Sequence, residues 1–112
     1  MILDKQSALE RLEQDLELYE EICEIFRVDV PGIIDQLKAS YAGNDIPTAT
    51  RHAHSIKSAA ANIGATDLSE TARSTENALR SGSFDHIPAL FSELDRNISQ
   101  VLEALIPISN QR

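Results

Sequence analysis

Tryptophan is absent from this chain, and only five residues are Phe or Tyr. So small a supply of rings disfavours an aromatic-rich β-fold and leaves too little to build a platform on which nucleic-acid bases could stack. Positive charge is scarce as well. Ten Lys and Arg against eighteen Asp and Glu leave a net charge of −8 at pH 7, the wrong sign for a surface that must neutralise a phosphate backbone. Nucleic acid is therefore not an expected partner. The single cysteine, Cys23, cannot form an internal disulfide; its place among Tyr19, Ile22 and Phe26 at helical spacing marks a packed, inert thiol suited to a reducing cytoplasm. No apolar run approaches the roughly 20 residues of a membrane span, and the opening MILDKQSALERL is too charged for a signal peptide. A cytoplasmic location is expected. Repeats, linkers and low-complexity segments are missing too.

What is present is a chain of 112 residues, 42% hydrophobic and 25% charged, enough for a single domain over 1–112 with a modest aliphatic core. Apart from Pro31 and Gly32, its few prolines and glycines fall where helices would start and stop. Asp4 can cap a short first helix through about Leu12, and Asp15 a longer second one whose apolar positions Leu16, Tyr19, Cys23, Phe26, Val30, Ile33 and Leu37 keep bundle spacing. Pro31 interrupts that pattern without shifting it, which predicts a kink within one helix. Gly43 and Asn44 stop the second helix, and Asp45 opens the third, with Pro47 in its first turn. Gly64 ends the third. A fourth starts at Thr66 or Asp67, with Asp67 and Glu70 in capping-box spacing and Leu68, Ala72, Thr75 and Leu79 facing inward. After Gly82, Asp85 begins a fifth, carrying Leu90, Leu94, Ile98, Val101, Leu102 and Leu105, with Pro107 as its stop. The expected architecture is all-α: an up-and-down antiparallel four-helix bundle with a short extra N-terminal helix. A complete bundle buries its core without a second chain, so a monomer is expected. The sequence fits a free-standing protein and a domain of a larger chain alike.

The segment RHAHSIKSAAANIGA, from Arg51 to Ala65, carries the chemistry. Ile46, Ala49, Ala53, Ile56, Ala60 and Ile63 form one stripe, and His54 lies roughly 130° from its middle at about 3.6 residues per turn. His54 thus faces solvent among Thr50, Arg51, Lys57, Ser58 and Ala61. Most exposed helical surfaces carry long charged side chains. The centre of this one is compact, as a surface would be if another molecule had to come close to the histidine. His52, two residues away, points elsewhere and shares no metal site with His54; it reads as an ordinary histidine at the edge of the core. His86 has no neighbours that give it a role.

His54, Lys57, Ala61, Gly64 and Ala65, with Leu68 beyond, resemble the signature of histidine-containing phosphotransfer (HPt) domains, and the resemblance covers nearly the whole chain. The family motif has a histidine, a lysine three residues on, a glycine next, small residues after it, and a glycine ten positions past the histidine. Ser58 stands where the first glycine is usual, and serine is small enough to keep partner approach open. The resemblance implies that His54 accepts a phosphoryl group reversibly and exchanges it with an aspartate on a response-regulator receiver domain. Lys57 would stabilise phosphoryl charge, and Thr50, Arg51, Ser58, Ala61 and Gly64 would form the partner-binding face, with residues around Glu70 to Arg73 of the flanking helix as its extension. It implies a hybrid sensor histidine kinase as a further partner, no cofactor or metal on this chain, and Mg²⁺ on the receiver. The chemistry of the residues agrees: free histidine titrates near about 6.5, so a neutral imidazole is a competent nucleophile at pH 7.

Two other readings compete. The dimerisation and phosphoacceptor domain of a histidine kinase also carries a histidine on a bundle helix, but there an acidic residue follows the histidine and a proline comes soon after. Here Ser55 follows, with Ala59 and Ala60 in the later turn, and no ATP-binding region or phosphate loop appears. ATP-dependent kinase activity is not expected. The remaining alternative is a docking module that binds a receiver without phosphotransfer.

Overall fold

The computed structural model describes residues 1–110, with side chains described through Leu105. The elements are α1 (Lys5–Arg11), α2 (Leu16–Ala42), α3 (Ile46–Ile63), α4 (Thr66–Ser81) and α5 (Ile87–Asn110), with no strand among the described residues. Helices α2 to α5 form the antiparallel bundle. α3 packs most extensively against α4 and α2, α5 closes the ring against both, and α1 lies across α2 and α3.

Aspartates begin the first three helices as the sequence predicts: Asp4, Asp15 and Asp45 accept from the backbone N–H of Ser7, Leu18 and Thr48, satisfying donors that the first helical turn leaves unpaired. α4 begins differently. Ala65 occupies its N-cap without a side-chain bond, and Asp67, expected to cap, binds the N-terminal segment instead. Its N–H donates to the Met1 carbonyl at 3.0 Å and its carboxylate accepts from the Met1 amino group at 2.6 Å. At the end of α2 the left-handed residue is Asn44 (φ 61°), which can reach αL through its short polar side chain. α5 starts two residues later than expected. Asp85 and His86 form a turn in which the Ile87 N–H donates to the Phe84 carbonyl at 3.1 Å. The stop expected at Pro107 falls where side chains lie outside the described residues; the helical backbone reaches Asn110.

α2 runs as one helix through Pro31. Its buried stripe is Tyr19, Cys23, Phe26, Val30, Ile34 and Leu37. Ile34 replaces the predicted Ile33, which is half-buried, and Leu16 is 47% exposed at the helix start. A step of four residues after Val30 keeps the stripe on the core as a 3.6-residue helix turns past it. α3 buries Ala49, Ala53, Ile56, Ala60 and Ile63 and leaves Ile46 half-buried. Three of those five are alanines, so α2 and α4 approach its backbone closely while Ile56 and Ile63 fill the core. The fully buried Tyr19 donates its hydroxyl to the Ile63 carbonyl at 2.9 Å, as a buried phenol must find an acceptor. Cys23 is buried, and burial pushes its thiol pKa up, as an inert core thiol requires.

Gly64 closes α3 in the left-handed conformation (φ 82°), and its carbonyl accepts from the Asp4 N–H at 2.6 Å. A Cβ here would stand 2.2 Å from the Asp4 carbonyl oxygen. Gly82 ends α4 with a similar φ of 74° and open space around it. The pair separates backbone strain from close approach. Gly82→Ala is expected to cost about 1 kcal/mol, the left-handed penalty alone, whereas Gly64→Ala adds a clash that lifts α1 off the bundle and costs about 3 kcal/mol or more. Urea unfolding midpoints of the two variants measure the difference, and equal losses would show that the Asp4 contact contributes nothing.

Candidate functional site

His54 lies on the outer face of α3 with its side chain 54% exposed, and its Nδ1 is 3.1 Å from Oε2 of Glu76 on α4. The Glu76 side chain is 2% exposed, and two further cations reach it: Lys57 Nζ at 2.9 Å from Oε1, and Arg80 Nη2 at 2.8 Å from Oε2. Lys57 follows His54 by one helical turn on α3, and Arg80 follows Glu76 by one on α4, so each helix supplies two adjacent members. The Ser69 hydroxyl adds a link between the helices by donating to the Lys57 carbonyl at 3.3 Å.

Burial by itself would push the Glu76 carboxyl pKa up, but the hydrogen bonds from Lys57 and His54 and the charges of Lys57 and Arg80 outweigh it and hold the carboxyl below its ordinary 4.5. Glu76 is thus ionised at neutral pH and can only accept. His54 Nδ1 must then carry a proton toward it, and in the neutral ring the lone pair is left on Nε2.

The other residues expected at the site divide into two groups. Thr50 and Ala61 are half-buried, and Arg51 and Ser58 are exposed. The Thr50 hydroxyl donates to the Ile46 carbonyl at 2.8 Å and Arg51 donates to the Thr48 hydroxyl at 3.2 Å. Ala61 offers its carbonyl to Arg11 of α1 at 2.6 Å. Gly64 does not join this face: it is buried under Asp4, because its place in the motif serves the docking of α1. On α4, Glu70 and Arg73 are exposed while Ala72 between them is in the core. His52 is half-buried and His86 exposed, and neither is among the partners of Glu76. Among the described residues no group of three or more His, Cys, Asp or Glu is placed to hold a metal ion, and no helix is long and apolar enough to cross a membrane.

Sequence reasoning missed Glu76, Arg80 and Arg11. A signal for Glu76 was present, since position 76 follows Ala72 by four and precedes Leu79 by three, on the stripe assigned to the core. A glutamate there needs cations, and Lys57 on the neighbouring helix was already suspected of a charge role.

The lowered carboxyl fixes the sign of a pH effect. A carboxylate whose folded-state pKa is depressed stabilises the fold fully above its unfolded value and loses that contribution as pH falls through the folded one. Glu76→Gln is expected to cost about 2 kcal/mol at pH 7, and the gap from wild type narrows as pH drops below 4.5. Urea titrations of both proteins from pH 7 downward test this; a gap that stays constant with pH would show that the charge of Glu76 does not matter.

Comparison with known proteins fits this geometry. The family model for the Hpt domain matches residues 21–104. The fold is similar to that of histidine-containing phosphotransfer protein B (HptB) from Pseudomonas aeruginosa PAO1, with a TM-score of 0.89 at 22% identity over 99% of this chain and 96% of that one. It is also similar to the HPT domain from the Hpt sensor hybrid histidine kinase from Shewanella, with a TM-score of 0.86 at 17% identity and the same coverage, 99% and 96%. No curated protein matches the sequence. With the motif on α3, the bundle around it and a family match over three quarters of its length, the chain belongs to the Hpt domain family, the histidine phosphotransfer modules of phosphorelays.

Proposed function

We propose that His54 is the phosphoacceptor and exchanges its phosphoryl group with an aspartate on a response-regulator receiver domain. The observation that carries this reading is the contact between His54 Nδ1 and the buried carboxylate of Glu76, which directs the Nε2 lone pair outward. In the forward step that lone pair attacks the phosphorus of the receiver's aspartyl phosphate. The P–N bond forms, the P–O bond breaks, and its electron pair returns to the aspartate carboxylate. No proton has to leave the imidazole; the ring keeps its Nδ1 hydrogen and gains positive charge, which the Glu76 carboxylate offsets. The reverse step returns the phosphoryl group by the same path.

Lys57 sits 29% exposed on Glu76 Oε1, one turn from the ring, where its point charge can turn toward phosphoryl oxygens. Phosphoryl transfer depends chiefly on in-line positioning and charge neutralisation. Mg²⁺ and its acidic ligands are expected on the receiver, and this chain supplies nucleophile, cation and access. A hybrid sensor histidine kinase is the expected source of phosphoryl groups further up the relay. A monomer in the cytoplasm fits a closed bundle with a buried thiol, and the net charge of −8 argues against nucleic acid as a partner.

The test is to mix the purified chain with a phosphorylated receiver and Mg²⁺ and look for an acid-labile, alkali-stable label. Wild type is expected to be labelled and His54→Gln not at all. Label that persists on folded His54→Gln would assign the chemistry elsewhere, and absence of label from wild type across a panel of receivers would leave the docking-only reading.

The docking face has its own probe. Ala61 is half-buried with its carbonyl engaged by Arg11, so a bulky group there disturbs the α1 contact; Ser58 is exposed one turn past His54 and is the cleaner position. Ser58→Trp is expected to retain wild-type helical circular dichroism and lose at least roughly tenfold in transfer rate, because a central obstruction removes close approach. Unchanged transfer would place the partner elsewhere.

A further inference from the structure

The two oxygens of Glu76 are unequally loaded. Oε1 accepts from Lys57, while Oε2 accepts both from His54 Nδ1 at 3.1 Å and from Arg80 Nη2 at 2.8 Å. Sharing one oxygen holds the Arg80 guanidinium within two hydrogen-bond lengths of the imidazole. It also couples the two donors, because whichever binds Oε2 more strongly weakens the other's hold. Charge is unequal as well. With His54 neutral, Lys57 and Arg80 bring two positive charges to one carboxylate, leaving an excess of one. Of the two cations Arg80 is the less enclosed, with its side chain 65% exposed against 29% for Lys57.

Taking His54 as the phosphoacceptor, we propose that Arg80 is a second phosphoryl-binding cation, parked on Glu76 while His54 is free and transferred to the phosphoryl oxygens when His54 is loaded. Formation of the P–N bond at Nε2, with the electron pair of the broken P–O bond left on the receiver's aspartate, makes the ring cationic without moving its Nδ1 proton. The bond from Nδ1 to Oε2 becomes charge-assisted on both sides and strengthens. Oε2 is then a poorer acceptor for Arg80 just as an anionic group with three strong acceptor oxygens appears at Nε2, the ring nitrogen that points away from Oε2. The planar guanidinium can take two of those oxygens at once, which the Lys57 ammonium cannot. Arg80 also has a plainer role open to it, an exposed pair with Glu76 one turn away in the last turn of α4, favourable to the helix dipole. That role would affect stability and leave phosphoryl chemistry alone.

The experiment loads wild type, Arg80→Gln and Arg80→Lys with phosphoramidate, a small phosphodonor that needs no docking surface. The decay of phosphohistidine is followed by phosphorus NMR, and each loaded protein is then equilibrated with a receiver and Mg²⁺. Arg80→Gln is expected to accept the label yet shift the phosphoryl equilibrium toward the receiver by roughly tenfold, about the value of one charge-assisted hydrogen bond. Its phosphohistidine decays faster as well, and Arg80→Lys recovers part of both losses by restoring the charge without the fork. An equilibrium and a decay rate for Arg80→Gln indistinguishable from wild type would overturn the proposal, whatever the variant's unfolding midpoint. Failure of wild type to take label at His54 would instead overturn the phosphoacceptor reading on which it rests.

Discussion

A carboxylate enclosed between two helices has to find donors for both its oxygens, and at the α3–α4 interface Glu76 finds them in His54, Lys57 and Arg80. Removing one partner from such a cluster leaves charge without compensation, a more costly state than having no charge there at all. Much of the surrounding geometry follows. His54 and Lys57 must be one turn apart on α3, Glu76 must stand on the inner side of α4 at their level, and α4 must lie close enough to α3 for a glutamate to bridge. The small inner residues Ala53 and Ala60 provide that closeness. An ion pair network of this kind is weak evidence for stability in itself. Its value is that it fixes one ring nitrogen as a donor and leaves the other free, which an unsupported surface histidine would not do.

The same α3 helix is anchored at its far end by a different device. Arg11 holds the Ala61 carbonyl, Gly64 accepts from Asp4, and the start of α4 binds Met1 through the backbone and side chain of Asp67. The N-terminal segment therefore does for α4 what a capping side chain does for the first three helices. It also explains a glycine that the motif alone would assign to partner contact: a Cβ at Gly64 would collide with Asp4 backbone. Motif spacing tells which residues recur together. Packing tells which of them act on a partner and which hold the scaffold.

Elements governed by local rules were legible in the sequence. Asp4, Asp15 and Asp45 cap because their side chains reach backbone three residues on, and the α3 stripe is a matter of periodicity, so both could be read from neighbours in the chain. The outward aspect of His54 was legible for the same reason. Glu76 was not, because its partners His54 and Lys57 lie on another helix and an isolated glutamate on an amphipathic stripe looks like a mis-set register. Asp67 was misread as a cap because its actual partner is sixty-six residues away. The shift from Ile33 to Ile34 in α2 has a subtler origin: over twenty-seven residues the phase of a 3.6-residue helix accumulates, and adjacent isoleucines leave the pattern free to choose either.

The site's openness follows from its chemistry. An enzyme that had to exclude water would bury its nucleophile, yet a phosphoryl carrier with His54 as the proposed acceptor has to present that ring to partners that supply the rest of the catalytic apparatus. The proposed nucleophile accordingly sits on a convex helix face, 54% exposed, while the carboxylate that contacts it is 2% exposed. Exposure gives access, and burial of Glu76 keeps the orienting contact out of the solvent that would weaken it. The compact residues around His54 allow close approach without an enclosing pocket, so the complex can form by surface contact and separate once the group has moved. Positive charge in excess at the cluster adds a last element, because a carrier has to make the loaded state nearly as favourable as the donor and the acceptor on either side of it. Too weak a hold would lose the phosphoryl group to water, and too strong a hold would end the relay at this protein; in the proposed mechanism a lysine and an arginine sharing one carboxylate let that balance be set by side chains outside the nucleophile itself.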